Sequence, residues 1–269
     1  MQIKNTKIIF FGTPQVSANV LESLIESGFN ITAVVTNPDQ PVGRKQTITP
    51  PPVKNIALKN KIEVLQPSTL KEFVLPKADL AIVVAYGKII PQKIIDSFPK
   101  GMLNIHYSLL PKYRGASPVE SAILNNENET GVTIQKLVFK LDAGAIIAQE
   151  KILIDQEITT PKLKEKLTEI GSRLLIETLP KYLSDEIIPE EQDESKVTHC
   201  GKIEKANGEL LPTDSENQKW LKYRAYFGWP GVFYFDSEGK RNKITLATFE
   251  NEKFIIKRII PEGKNEISV

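Results

Sequence analysis

An asparagine and a histidine stand two residues apart in NIHYSLLPKYRGASP (104–118), and an aspartate opens the triplet DAG at 142–144. In an extended strand, residues i and i+2 share a face. Asn104 and His106 therefore point together, and Ile105 points away. The Asn104 amide can donate to an oxygen on which negative charge develops. His106 is one of only two histidines, and an imidazole, with a reference pKa of about 6.5, exchanges protons near neutral pH. Asp142 would orient that imidazole and favour its charged form, and the glycine in its loop allows close approach. The set is thus an oxyanion donor, a proton carrier and an orienting carboxylate. The same residues would also suit a plain structural reading, with Asn104 and His106 satisfying loop backbone and Asp142 capping a turn. Ser108 has no GxSxG elbow around it and is not read as a nucleophile. His199 lies in a polar stretch and reads as a solvated residue. Two histidines and one cysteine, far apart in sequence, argue against a zinc site.

The elements that must position these groups alternate. The run KIIFF (7–11) stops at Gly12 and reads as a buried strand. Thr13 is expected to cap the next helix, with Pro14 in its first turn. Val16, Val20, Leu21, Leu24 and Ile25 share a helical face that ends at Gly28. A strand over 31–35 completes a βαβ unit, so the fold class is α/β with a Rossmann-like, mostly parallel, doubly wound sheet. DLAIVVAY (79–86) is the most apolar strand and is expected at the centre. Asn104 and His106 close the strand MLNIH (102–106), at the carboxyl edge where open α/β sheets place their sites. Strands over 131–138 and 145–154 would form a hairpin around Asp142, and 160–183 reads as one long helix. PEEQDESKVTHCGKI (189–203) looks like a linker. Short β-branched and aromatic runs follow, so a small β module is expected at 207–269. Residues 1–188, 189–206 and 207–269 are accordingly taken as catalytic domain, linker and C-terminal module. The turn GTPQVS lacks the later glycines of a dinucleotide-binding fingerprint, which argues against a nucleotide cofactor.

Thirty-five basic and 33 acidic residues leave a formal charge of +2, so nothing suggests a polycationic nucleic-acid binder. One cysteine excludes an internal disulfide and fits a reducing compartment. The N-terminal apolar run is too short for a signal peptide, and no apolar stretch reaches the roughly 18 residues of a membrane helix. A cytoplasmic location is expected.

The segment NIHYSLLPKYRGASP, followed by ETGVTIQKLVFKLDAGAIIAQ, resembles the formyltransferases that use 10-formyltetrahydrofolate. The resemblance implies that Asn104, His106 and Asp142 form the catalytic set. It also implies that Ser108, Leu109, Leu110 and Pro111 line the folate site, and that 10-formyltetrahydrofolate is the co-substrate, with no metal required. Other stretches are similar to the branch that formylates methionyl initiator tRNA for translation initiation: FFGTPQVSANVLESLIESG, TNPDQPVGRKQTITPPPVKNIAL, VVAYGKIIPQ, QDESKVTHCGKI and FGWPGVFYF. The resemblance covers essentially the whole chain to about residue 236 and is weaker after that. In that branch the loop matching 36–52 enters the tRNA acceptor end, which implies tRNA contacts at Arg44 and Lys45. Five prolines lower the entropy lost on ordering this loop, and an arginine can grip phosphate or stack on a base. The C-terminal module of the family is OB-like. It looks shortened here, and its acids about balance its bases, so alone it would bind RNA weakly. Tyr107 stands where a small residue or proline is commoner, and Tyr113 where tryptophan is frequent. Two alternatives share the motifs: transfer to an amino-sugar nucleotide or other small amine, and hydrolysis of the formyl folate. The chain is expected to act as a monomer.

Overall fold

The computed structural model describes residues 5–43 and 45–269. The chain runs β1 (Ile8–Gly12), α1 (Gln15–Glu26), β2 (Ile31–Val35), β3 (Gln40–Val42), β4 (Thr47–Thr49), α2 (Pro52–Lys59), β5 (Glu63–Leu65), β6 (Leu80–Val84), α3 (Gln92–Ile95) and β7 (Met102–His106). It continues β8 (Arg114–Gly115), α4 (Pro118–Leu124), β9 (Glu129–Lys136), β10 (Ile146–Leu153), α5 (Thr160–Leu183) and β11 (His199–Cys200). The last elements are α6 (Glu216–Ala225), β12 (Val232–Phe235), β13 (Arg241–Glu250), β14 (Lys253–Pro261) and β15 (Ile267–Ser268).

Seven strands form the main sheet in the order β10-β9-β7-β6-β1-β2-β5. The neighbours from β5 to β7 are parallel, and β9 runs antiparallel to β7. β6 lies at the centre, as its apolar run suggests, and all five of its residues are buried. The five residues of β1 are buried too, because helices cover both faces of a parallel sheet. Ile9, Phe11, Ala33, Val35, Ala81, Val83 and Met102 form one core face, closed by Tyr86, Ile90, Ile94 and Phe98. Strand order reverses beside β1, where the next two strands lie on one side and β6 on the other, and such points open a crevice at the strand carboxyl ends.

Two local expectations are corrected. Thr13 does not cap α1. Pro14 holds that position with no side-chain cap, and the Thr13 hydroxyl instead donates to the Tyr86 carbonyl at 3.2 Å. On α1 the small residues Ser17 and Ala18 are buried, and Val16 is only half-buried. The turn packs so tightly that a Cβ at Gly12 would lie 2.7 Å from the Ser17 Cβ, and the Ser17 hydroxyl donates to the Val84 carbonyl at 2.6 Å.

The chain divides into two compact units. The first comprises residues 1–114, 131–150 and 165–197. The second gathers 115–130 and 151–164 with 198–269, so the division is not contiguous along the sequence. Within the second unit, β12-β13-β14-β15 form a four-stranded antiparallel sheet, one strand fewer than an OB-fold. Ser215 and Gln218 cap α6 reciprocally, and Trp220 stacks on Phe249 with ring centroids 5.9 Å apart. Arg224 is buried and donates to the carbonyls of Ile158 and Asp155. That burial pushes its guanidinium below its ordinary value.

Candidate active site

The pairing of β7 with β9 builds the site. Asn104 lies opposite Gln135, Ile105 opposite Ile134, and His106 opposite Thr133. Residues directly opposite in an antiparallel pair share a face. One polar patch therefore carries Asn104, His106, Thr133 and Gln135, while the two isoleucines pack behind it. Thr133 and Gln135 are buried and Asn104 is half-buried.

Asp142 reaches this patch from the turn between β9 and β10. It adopts φ +48°, a left-handed conformation uncommon for a residue with a Cβ. Gly144 makes the turn feasible: a Cβ there would lie 1.7 Å from the Lys136 carbonyl oxygen. Asp142 Oδ1 stands 3.7 Å from His106 Nδ1, with His106 6% and Asp142 11% exposed. That distance exceeds a direct hydrogen bond, so proton exchange between them needs closer approach or one intervening water. The Gln135 amide donates to Asp142 Oδ1 at 3.0 Å and holds the carboxylate in place.

His106 Nε2 lies 2.9 Å from the Tyr113 carbonyl oxygen. A carbonyl only accepts, so Nε2 carries a hydrogen. The neutral ring then has its lone pair on Nδ1, beside Asp142. All proton exchange by this imidazole falls on Nδ1, and Asp142 stabilises the imidazolium formed there.

The loop between His106 and Tyr113 is tied to the sheet by the Thr133 hydroxyl and the Gln149 amide. Thr133 Oγ1 donates to the Ser108 carbonyl at 2.6 Å and accepts from the Leu110 amide at 3.1 Å and from Gln149 Nε2 at 2.8 Å. Gln149 Nε2 also donates to the Leu110 carbonyl. Ser108 is fully buried, and its hydroxyl turns inward to the Lys112 carbonyl at 2.6 Å. Leu110 is buried as well, whereas Leu109 and Pro111 are half-buried. Ser108 and Leu110 thus shape the loop from within, and Leu109 and Pro111 keep surface for a ligand. The Tyr107 hydroxyl lies 3.0 Å from Thr168 Oγ1 on α5, and burial pushes it above its ordinary value.

Of the two residues expected to meet tRNA, Arg44 lies outside the described residues. Lys45 is exposed in the turn between β3 and β4, so the expected loop is a short hairpin. Its base is anchored through Asp39, which accepts from Gln66 at 2.8 Å and from Lys54 at 2.8 Å. These bonds, Gln66 first, hold the carboxyl below its ordinary value. His199 is exposed, as expected. Among the described residues, no three His, Cys, Asp or Glu side chains cluster as a metal site would require. Two surface clefts of about 430 and 490 Å³ lie along α1 and α5 and beside Met102, and neither is lined by Asn104, His106 or Asp142.

Sequence reasoning did not single out Gln135, Gln192 or Arg114. The register of β9 against β7 identifies Gln135 only once pairing is known. Gln192 sits in the stretch read as a linker, yet it is buried and donates to the carbonyls of Asp142 at 2.9 Å and Gly144 at 2.7 Å.

Comparison with known proteins bears on the family and the fold. The formyl transferase family model matches residues 6–179. A methionyl-tRNA formyltransferase of Caldicellulosiruptor saccharolyticus is 47% identical over 91% of this chain and 81% of its own length. One from Listeria innocua is 44% identical over 92% and 81%. A sugar 3N-formyl transferase, solved in the presence of dTDP and 5-N-formyl-THF, superposes with a TM-score of 0.72 at 22% identity, covering 98% of this chain and 97% of its own. At that identity the likeness concerns the fold alone. A family match across both β7 and the Asp142 turn, with relatives this similar over nine-tenths of the chain, means that the chain belongs to the formyl transferase family.

Proposed function

We propose that this protein transfers the formyl group of 10-formyltetrahydrofolate to the α-amine of methionyl initiator tRNA. The observation that carries the chemistry is the approach of Asp142 to His106 Nδ1, on the strand face that also presents Asn104. The relatives named as methionyl-tRNA formyltransferases carry the choice of acceptor.

The co-substrate supplies the formyl group, and this chain's residues supply the rest. The half-buried Asn104 amide donates to the formyl oxygen as it gains negative charge, an interaction stronger in the transition state than before it. His106 has its Nε2–H fixed on Tyr113 and handles protons only at Nδ1. There it receives the proton that the attacking amine loses and returns one to the nitrogen that leaves. Asp142 stands 3.7 Å from Nδ1, beside the atom that takes the proton. Leu109 and Pro111 offer the apolar wall of the folate site, with Ser108 and Leu110 behind them. Arg44 and Lys45 engage the acceptor end of the tRNA.

In this reading the chemistry belongs to residues 1–188, and 207–269 form a reduced OB-like module beyond a linker at 189–206. In the same reading the chain acts as a monomer in the cytoplasm. No helix among the described residues is long and apolar enough to cross a membrane.

The test is formyl transfer from 10-formyltetrahydrofolate with three acceptors in parallel: methionyl initiator tRNA, free methionine and an amino-sugar nucleotide. The expected result is transfer to the tRNA alone. Transfer to the sugar alone would overturn the acceptor assignment, and formate release without any acceptor would indicate a hydrolase.

A further inference from the structure

Gln192 belongs to no helix or strand, yet it bonds both to the Asp142 turn and to the segment that anchors His106. Its Oε1 accepts from Arg114 Nε at 3.0 Å and from Arg114 Nη2 at 2.8 Å. Its Nε2 donates to the carbonyls of Asp142 at 2.9 Å and Gly144 at 2.7 Å. The amide has only this orientation, because a guanidinium only donates and a carbonyl only accepts. Arg114 directly follows Tyr113, whose carbonyl takes the His106 Nε2 hydrogen. Arg114 is 1% exposed, Gln135 1% and Gln192 8%, so these bonds lie away from water, where loss of a partner is costly.

We propose that Gln192, gripped by Arg114, is a positioning residue that sets the separation of the Asp142 carboxylate from His106. The supports of the two partners come from different parts of the chain: the Tyr113–Arg114 segment takes the His106 Nε2 hydrogen, and the Asp142–Gly144 turn carries the carboxylate. One amide joins them. Gln135 fixes the carboxylate itself, and Gln192 fixes the backbone that carries it. A residue at φ +48° persists where its surroundings over-determine it, and two donors on either side of Asp142 provide that constraint. Arg114 is in turn held by Glu194 Oε1 at 2.8 Å, so Gln192 and Glu194 are both part of the site's support.

This inference rests on the assignment of His106 and Asp142 to the chemistry, and its test separates the two. Gln192→Glu keeps the volume and both Arg114 bonds but turns an oxygen toward two carbonyl oxygens. Gln192→Met keeps the volume and removes every bond. Both are compared with wild type and with His106→Ala for kcat, for KM toward 10-formyltetrahydrofolate and toward the tRNA, and for melting temperature. Displacement of a catalytic group by about 1 Å costs about 10²-fold in rate. The expected result is a kcat fall of that order in Gln192→Glu, with both KM values and the folded state retained. Wild-type kcat in both variants, beside an inactive His106→Ala, would overturn the positioning role alone. Full activity in His106→Ala would overturn the underlying site assignment instead. Loss of folding in both Gln192 variants would make the residue one of stability and equally overturn the proposal.

Discussion

The Tyr113 carbonyl reduces His106 to one working nitrogen. With Nε2 committed at 2.9 Å, the ring cannot alternate between tautomers without losing a bond, and Nδ1 faces Asp142 throughout. His106→Ala is expected to lower kcat by about 10² to 10⁴, the range for a lost acid–base group, with folate binding unchanged by fluorescence titration. Asn104→Ala should cost about 10² to 10³, as for a lost oxyanion donor, measured in the same assay. Glu194 offers a separate reading through pH. Hydrogen bonds from Arg114, then Lys140, bring its carboxyl down from 4.5 to about 2. A depressed folded-state value means that the stabilisation is in place above 4.5 and is lost as the pH falls toward 2. Between those values the melting temperature of wild type should fall more steeply than that of Glu194→Gln. Parallel curves would show that the pair contributes nothing to stability.

Elements were legible in the sequence where apolar periodicity is strong. The spans 31–35, 102–106 and 160–183 coincide with β2, β7 and α5, because β-branched runs and a long helical pattern leave little choice of period. The strand over 31–35 and its neighbours also implied the parallel sheet. Asn104, His106 and Asp142 were singled out by residue type and spacing, which left a structural reading open, and the resemblance to the formyltransferases favoured the catalytic one. Their supporting shell was not singled out. Gln192 lies in an acid-rich stretch that hydropathy marks as solvated, and its burial arises from Arg114, 78 residues away. Thr13 failed as a cap because a tertiary acceptor, the Tyr86 carbonyl, competes with the local backbone for its hydroxyl. The turn between β9 and β10 depends on a missing side chain. Gly144→Ala must displace the Lys136 carbonyl, and overpacking of this kind costs about 1–3 kcal/mol. The variant is expected to melt lower by calorimetry and to lose kcat, since the displaced turn carries Asp142.

At the scale of the whole molecule, a net charge of +2 leaves little long-range attraction for a polyanion, so tRNA affinity falls to local cations. If Arg44 and Lys45 supply about two phosphate contacts, KM for the tRNA should rise about ten-fold between roughly 50 and 200 mM salt. Lys45→Ala should flatten that dependence. A rise of about 10³ or more would mean six or more contacts and a broad footprint on the chain. Bonding density also varies across the fold, and it is high at Thr133, whose hydroxyl donates once and accepts twice. The Leu110 amide belongs to no strand, yet its hydrogen is sealed on a buried oxygen. In deuterated water that hydrogen should exchange as slowly as those of β1 and β6, only when the whole unit opens. Rapid exchange would reveal local breathing that the bonds at Thr133 do not prevent. A loop so locked has little ordering entropy left to lose when a ligand arrives, so donor binding should resemble a key entering a finished lock.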